Sequence, residues 1–199
     1  MLYQLSHIIK DKLPFVWNLI EWLNARLFLL RYGRRLRGVS GCLAKYQGAY
    51  QIREATLGDV QPLAAFFAKQ PAESFTYFQP HGFDEKSIKR LVKNKAYLIF
   101  LVCNGKDIVG YYFLRCFFIG KSFLGKMVDH ECQGKGIGKM MCLSAMDVAT
   151  HLHLRMFETI SKDNLSSLYS TQKVLDTKLI EEMDNNYIYI EDLPKGSLK

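Results

Sequence analysis

The spacing of apolar and polar residues predicts strands and helices along most of the chain. Strands are predicted where apolar and polar side chains alternate or where short apolar runs occur, and helices where apolar residues recur every three or four positions. The predicted strands are residues 50–55, 96–103, 106–118, 120–129 and 154–160, with one or two more in 178–190. The predicted helices are residues 56–69, 84–93 and 136–151, and a short one that ends near 174.

Turn and capping residues mark the boundaries of several of these elements. Asn104-Gly105 is typical of a two-residue hairpin turn between strands. Thr56 and Asp59 have the spacing of a capping box, with Asp in place of the usual Glu or Gln, and Asp84 is a second predicted N-cap. The order of elements predicts an α+β fold, a mixed and mostly antiparallel sheet flanked by helices.

A separate arm is predicted before this domain, and residues 13–32 in it are the most apolar stretch of the chain. Polar residues interrupt the stretch, so it is a poor spanning helix, and it lacks the small-residue cleavage site of a signal peptide. As a helix it has a broad apolar face with Phe15, Val16, Leu19, Ile20, Trp22, Leu23, Leu27, Leu29 and Leu30, where Arg26 is an exception. The polar face has Asn18, Glu21, Asn24, Arg31 and Arg35, with Trp17 and Phe28 as exceptions.

Two partners suit the apolar face, beside the less favoured spanning helix. With two Trp and the following sequence RYGRRLR, a helix within residues 13–37 suits peripheral contact with anionic membrane headgroups. Alternatively, the same face packs on the domain or on a second copy of the chain, as a homodimer. Gly38, Gly41 and Gly48 predict a loose linker, so we divide the chain into an arm and linker (1–48) and a domain (49–199).

The distribution of charge narrows the classes of partner. The chain carries 27 Lys and Arg against 19 Asp and Glu, a formal net charge of +8. Residues 1–48 hold eight of the basic and two of the acidic residues, so the domain itself is nearly neutral and a nucleic-acid partner is not expected. The five cysteines lack CxxC spacing, so we predict no metal site or disulfides, and a cytoplasmic protein that the arm would bring to the inner face of the cell membrane.

Candidate chemistry is concentrated in the sequence VDHECQGKGIGKMM, residues 128–141. Gly134, Gly136 and Gly138 alternate between a strand and a helix, where free backbone N–H groups and the helix dipole favour a phosphate. Lys135 and Lys139 add positive charge. The Ser or Thr of a Walker loop is absent, and the GxGxG spacing differs from the Rossmann GxGxxG. A turn required only for packing remains an alternative.

The sequence QGKGIG between a strand and a helix resembles the acetyl-CoA loop of the GNAT superfamily of N-acetyltransferases, Q/R-x-x-G-x-G/A. The order of elements from Tyr50 to about Ile190, and an Asn after the strand FETIS, are similar to the same superfamily. The resemblance implies acetyl-CoA as co-substrate, with its pyrophosphate on the glycine loop and its pantetheine arm paired with the preceding strand. The implied cofactor-binding residues are Met127, Val128, Asp129, Gln133, Gly134, Lys135, Gly136, Ile137, Gly138, Lys139 and Asn164.

The resemblance also implies direct attack of an amine or hydroxyl on the thioester, with the Val128 N–H polarising the carbonyl. Many members protonate the leaving thiolate with a Tyr seven residues after the Asn, but that position is Thr171 here, which leaves Tyr169 as the candidate acid. The candidate groups on the acceptor side are His81, Glu158 and Asp129; a His is suited to proton transfer near neutral pH. Alternatively, His81 only bonds to nearby backbone.

The acceptor is predicted only as a class. The loop that contains Phe75, Tyr77, Phe78 and Phe83 offers aromatic faces that suit sugar rings, although the same side chains also suit core packing. With the membrane-surface arm, this motivates an amino-sugar of a bacterial surface-glycan pathway; other small-molecule amines and a protein amine remain alternatives. A non-catalytic GNAT-like module that binds acyl-CoA or docks on a membrane is the second class of function.

Overall fold

The structure is a computed structural model that describes residues 14–198. The helices are α1 (Pro14–Leu36), α2 (Val39–Leu43), α3 (Val60–Ala68), α4 (Glu85–Lys93), α5 (Ile137–His151) and α6 (Leu165–Gln172). The strands are β1 (Gln51–Glu54), β2 (Tyr97–Asn104), β3 (Asp107–Phe117), β4 (Lys121–Val128), β5 (Arg155–Ser161), β6 (Leu175–Met183) and β7 (Tyr187–Pro194).

The seven strands form one sheet in the order β1-β2-β3-β4-β5-β7-β6. All neighbours are antiparallel except β4 and β5, which are parallel. The predicted fold class is therefore confirmed. The segment 178–190, predicted to hold one or two strands, forms parts of two, with β6 beginning before it and β7 ending after it. Most of edge strand β6 is exposed, so its polar side chains give no clear alternation from which to predict its start.

Two apolar cores lie on opposite faces of the sheet. Successive side chains of β3 alternate between them, because neighbouring residues of a strand point to opposite faces. Tyr112 and Leu114 belong to the core under α2 and α5, whereas Tyr111 and Phe113 belong to the core under α3 and α4. The central strand is therefore buried on both sides, which fixes its register firmly.

Helix α1 packs on the domain with the face that we predicted to be polar. Phe28 and Tyr32 are buried in the core, and the Asn24 amide donates to Cys116 O (2.9 Å) and accepts from Phe118 N (3.1 Å). Glu21 on the same face forms an ion pair with Arg115. The helix thus crosses the end of the sheet where β3 finishes, and its predicted apolar face points away from the domain. The alternative that the apolar face packs on the domain is therefore wrong.

The glycines after α1 do not form the loose linker that we predicted. Gly38 is followed directly by α2, whose Val39 and Leu43 are buried in the core. The backbone oxygen of Arg35 accepts a hydrogen bond from His151 Nε2 (2.9 Å), which ties the end of α1 to the end of α5. The absence of a side chain on Gly38 allows the His151 ring to approach closely, since a Cβ on Gly38 would lie 2.6 Å from that ring.

We predict that Asn24→Ala lowers the free energy of unfolding by about 1–3 kcal/mol, because two backbone groups of the sheet end lose their buried partner. Asn18→Ala is the matched control, since Asn18 lies on the same helix but is exposed. Urea denaturation of the two variants measures the difference. Equal stability of both would show that the amide contacts contribute nothing.

Candidate functional site

The parallel strands β4 and β5 separate after only three residue pairs, of which Phe123 with Phe157 is the last. Toward its C-terminal end, each strand stays paired only with its other neighbour. Strand β4 pairs with β3 as far as Val128, and β5 pairs with β7 as far as Ser161. A wedge-shaped gap therefore opens in the middle of the sheet, and the backbone edges of both strands face each other across it.

The hydrogen-bond alternation of β4 determines which residues face this gap. Asp129 donates its N–H to Val109 O on β3 (3.0 Å). Since backbone groups of an antiparallel strand alternate between its two sides, Met127 also faces β3, whereas Lys126 and Val128 direct their N–H and C=O groups into the gap. The backbone groups of Met127 and Asp129, predicted to bind the cofactor, therefore face β3 instead. Those of Val128 face the gap, and the contact of its N–H with a carbonyl stays a prediction.

The glycine loop lies at the open end of the gap and leads into α5. Gly134 and Gly136 have φ angles of 76° and 81°, a left-handed conformation that side chains other than glycine adopt at a cost. Nothing lies within 4 Å of the position that a Cβ would take on either residue. The first N–H groups of α5 have no acceptor within the helix, so the loop and helix start form a site suited to an anion.

The two lysines of the loop remain near this helix start. Lys135 Nζ donates to Glu131 O (3.2 Å), and Lys139 Nζ lies 5.3 Å from the centre of the Tyr169 ring. Tyr169 is 60% exposed, whereas Thr171 is completely buried. The structure thus directs Thr171, and not the predicted acid Tyr169, toward the interior beside the gap; the two positions point to different sides of α6.

A buried ion pair bridges the gap on the α5 side of the sheet. Lys126 Nζ of β4 donates to both oxygens of Glu158 on β5, at 2.8 and 2.7 Å, and to Thr171 Oγ1 at 3.0 Å. Burial alone would favour the neutral amine, but the surrounding negative charge outweighs it and raises the pKa of Lys126. Both oxygens of Glu158 are engaged, so this predicted acceptor-side group balances the charge of Lys126.

Two further polar side chains extend this cluster. Burial, together with the Glu158 carboxylate, raises the pKa of Asp192 well above its ordinary value, so Asp192 holds a proton at neutral pH. Neither of its oxygens has a hydrogen-bond partner among residues 14–198. Cys142 Sγ lies 3.6 Å from Thr171 Oγ1, and burial raises the pKa of its thiol to about 11.

Asp129 and Asn164, both predicted site residues, already form contacts within the protein. The Asp129 carboxylate is buried, lies 2.5 Å from Lys69 Nζ and accepts a hydrogen bond from Glu131 N. Although burial opposes it, the Lys69 contact lowers the pKa of Asp129, so this group is ionised and already paired. Asn164 Oδ1 accepts from Ser167 N (3.2 Å) and is the N-cap of α6. Its contact with a cofactor stays a prediction.

His81 lies on the opposite face of the sheet, in the aromatic core under α3 and α4. Its Nδ1 must donate to Gly82 O (2.9 Å), because a carbonyl only accepts, so the unprotonated Nε2 accepts from the Tyr111 hydroxyl (2.7 Å). Burial lowers the pKa of His81, which is therefore neutral at pH 7. Tyr111 pairs with Met127 of β4, which places the imidazole one strand away from the gap.

The structure thus brings the glycine loop and the gap together but separates the proton-transfer candidates. Glu158 lies on the α5 face, whereas His81 and Asp129 lie on the α3 face, with Asp129 beside Lys69 at the end of α3. Sequence reasoning missed Lys126, which lies at an inward position of β4 between Leu124 and Val128. A charged residue at an inward strand position is a signal that could have identified it, because buried charges need a partner.

The fold agrees with that of solved acetyltransferases. The GNAT domain of S. lividans PAT has a TM-score of 0.62 at 14% identity, covering 73% of this chain and 92% of that one. A SpeG spermidine N-acetyltransferase chimera from Vibrio cholerae and hSSAT has 0.55 at 21% identity, covering 73% and 93%. The acetyltransferase yncA of Salmonella typhimurium, solved with its cofactor acetyl-CoA, has 0.54 at 16% identity, covering 73% and 92%.

No family model matches the sequence, and no curated protein matches it either. The likeness to solved structures is therefore one of fold, and on that level it is clear: the chain has the GNAT acetyltransferase fold, as the resemblance of its glycine loop implied.

We predict that Lys126→Met lowers the free energy of unfolding by about 3–5 kcal/mol, because Glu158 is left as a buried charge without a partner. The double variant Lys126→Met/Glu158→Leu should recover most of the loss. Lys162→Met breaks an exposed ion pair with Glu182 and serves as the matched control, with an expected loss below about 1 kcal/mol. Failure of the double variant to regain stability over Lys126→Met, measured by urea denaturation, would contradict this reading of the pair.

Proposed function

We propose that the protein is an acetyl-CoA-dependent N-acetyltransferase that acts on a small-molecule amine. The observation that carries this proposal is the gap between β4 and β5 with an anion-suited glycine loop at its open end. An extended chain that ends in a pyrophosphate fits such a site, because a strand edge offers regular hydrogen bonds and the helix start offers N–H donors. Solved structures of the same fold include one with acetyl-CoA and one named for spermidine acetylation.

In this proposal, different residues of the chain bind different parts of acetyl-CoA. The N–H groups from Gly134 to Gly138 hold the pyrophosphate, and Lys126 and Val128 pair with the pantetheine arm through their backbone. When bound, the thioester supplies an activated acetyl group. The Val128 N–H then donates to the carbonyl oxygen, where negative charge grows as an amine attacks.

The proton of the attacking amine requires a base on the chain. Asp129 and Glu158 are already paired with lysines, whereas the Nε2 lone pair of His81 accepts only from the Tyr111 hydroxyl. We therefore favour His81, which is half-buried, as the proton acceptor, with its ring held in place by the completely buried Tyr111.

The amino-sugar hypothesis has less support than the general amine. Phe83 packs against Phe67, Phe75 and Phe78 with ring centres 4.5 to 6.3 Å apart, so these rings are used within the core. Tyr77 is the exposed aromatic residue of the loop and is available for a sugar ring. An amino-sugar of a bacterial surface-glycan pathway is one member of the amine class to be tested.

A non-catalytic module that binds acyl-CoA is the second candidate. It is favoured by the replacement of the family Tyr by Thr171 and by the pairing of both carboxylates. Thiol release from acetyl-CoA in the presence of an amine panel distinguishes the two. Binding of acetyl-CoA without thiol release in the presence of any amine would favour the non-catalytic module.

We predict that acetyl-CoA binds the full chain with a heat measurable by calorimetry, and that Gly136→Val abolishes this binding. A β-branched residue at φ 81° costs about 1–2 kcal/mol and forces the loop out of its conformation. Gly196→Val is the matched control, since Gly196 has a φ of 88° and open space around it but lies in the C-terminal turn. Binding that survives in Gly136→Val, or is lost equally in both variants, would contradict the assignment of the loop.

We further predict that His81→Gln lowers kcat/KM and removes the acidic limb of its pH profile. Because burial lowers the pKa of His81, the wild-type limb should lie below the ordinary value of 6.5, with activity falling as the pH drops through it. Tyr111→Phe keeps the ring but removes the hydroxyl, and should affect the rate in the same way. His151→Gln is the control, because His151 lies at the opposite end of the domain. An unchanged acidic limb in His81→Gln would exclude His81 as the base.

A further inference from the structure

The outer face of α1 is a large apolar surface without a partner in the described chain. All nine residues of the predicted apolar face are exposed, from 38% for Val16 to 85% for Leu30. Continuous exposure of this kind marks an interaction surface in a folded protein, whereas isolated exposed apolar residues do not. The opposite face of α1 is fixed by Asn24, Phe28 and Tyr32, so the helix cannot rotate to bury its apolar side.

A second element beside α1 also exposes apolar residues. Phe118 and Ile119, in the turn between β3 and β4, are 40% and 58% exposed. This turn lies beside α1, because Asn24 accepts from Phe118 N and Arg31 Nη1 donates to Phe118 O (2.9 Å). The turn therefore adds two exposed apolar residues next to α1, on the side of Asn24 and Arg31.

The charge of this surface indicates which partner it fits. Five arginines, all exposed, lie in or directly after α1: Arg26, Arg31, Arg34, Arg35 and Arg37. The single acidic residue of α1, Glu21, is already paired with Arg115 on the side that faces the domain. A second copy packed on this face would bring arginines of both helices together without a carboxylate from either helix, whereas an anionic lipid surface supplies the missing negative charge.

We propose that the outer face of α1 docks in the plane of an anionic phospholipid surface. The apolar residues and Trp22 enter the interface, and the arginines contact the headgroups. Within residues 14–198, no helix has the length and apolar character required to cross a membrane, which agrees with a helix that lies flat.

This docking orients the candidate active site away from the lipid. Helix α1 crosses the end of the sheet where β4 begins, and the glycine loop follows the other end of β4. The eight residues of β4 span about 26 Å, and the 15 residues of α5 about 22 Å. The docked protein therefore presents the site to water on the side away from the surface, where it suits a diffusible amine or one carried on a long headgroup.

Vesicle flotation of the full chain tests the proposal. We expect binding to vesicles of phosphatidylcholine with phosphatidylglycerol and far weaker binding to phosphatidylcholine alone. Leu19→Glu/Leu23→Glu/Leu30→Glu should abolish binding. The charge-matched control Leu57→Glu/Leu179→Glu/Leu198→Glu changes three leucines that are 52–53% exposed elsewhere and should bind far more strongly than the α1 variant. Arg26→Gln/Arg34→Gln/Arg37→Gln should lower the partition coefficient by about a hundredfold, with less dependence on salt.

The fluorescence of the two Trp residues adds a positional test. Brominated lipid should quench Trp22 strongly in Trp17→Phe, and Trp17 weakly in Trp22→Phe, because Trp17 lies on the side toward Arg115. Absence of binding to anionic vesicles, or loss of binding in the control variant to the same extent as in the α1 variant, would overturn the proposal. A wild-type dimer that becomes monomeric in the α1 variant, without vesicle binding, would assign the face to a second copy instead.

Discussion

The separation of β4 from β5 is the constraint on which the rest of the site depends. Each strand is held along its outer edge, β4 by β3 and β5 by β7, so neither can move across to close the gap. The inner backbone edges are consequently left without a strand partner in the middle of a sheet. Because buried backbone groups need hydrogen bonds, the sheet itself creates a demand for a ligand or water in the gap.

The ion pair of Lys126 and Glu158 bridges that gap on the α5 side of the sheet. Where backbone hydrogen bonds between β4 and β5 have ended, this pair still joins the two strands through their side chains. Its cost is a buried charge on each strand, and the three contacts of Lys126 Nζ offset that cost. Asp192, protonated by its surroundings, adds no further charge to the cluster.

Local sequence determined much of the fold but not the contacts of the site. The hairpin between β2 and β3, the capping box of Thr56 and Asp59, and the glycine loop before α5 were predictable, because each depends on a few neighbouring residues. The hairpin turn itself is Gly105-Lys106, one residue later than the predicted Asn104-Gly105, because Asn104 pairs with Asp107. The partners of Lys126 and His81 lie 32 and 30 residues away in the chain. Such pairs depend on which strands are neighbours and on which residues share a face. Neither can be deduced from local periodicity, so the base and the acid could only be proposed as alternatives.

Helix α1 is a clearer case of what local sequence cannot predict. Periodicity identifies its two faces but not which of them packs on the domain. The decision depends on the open end of β3, where Cys116 O and Phe118 N need partners that only a polar side chain can supply. Asn24 supplies both, Phe28 and Tyr32 pack in the core one and two turns later along the helix, and the apolar face is thereby turned outward. An arrangement that satisfies two backbone groups at one end of the sheet thus exposes nine apolar residues to the surroundings. It becomes favourable once a surface outside the chain covers them, and for that reason we regard α1 as part of an interface.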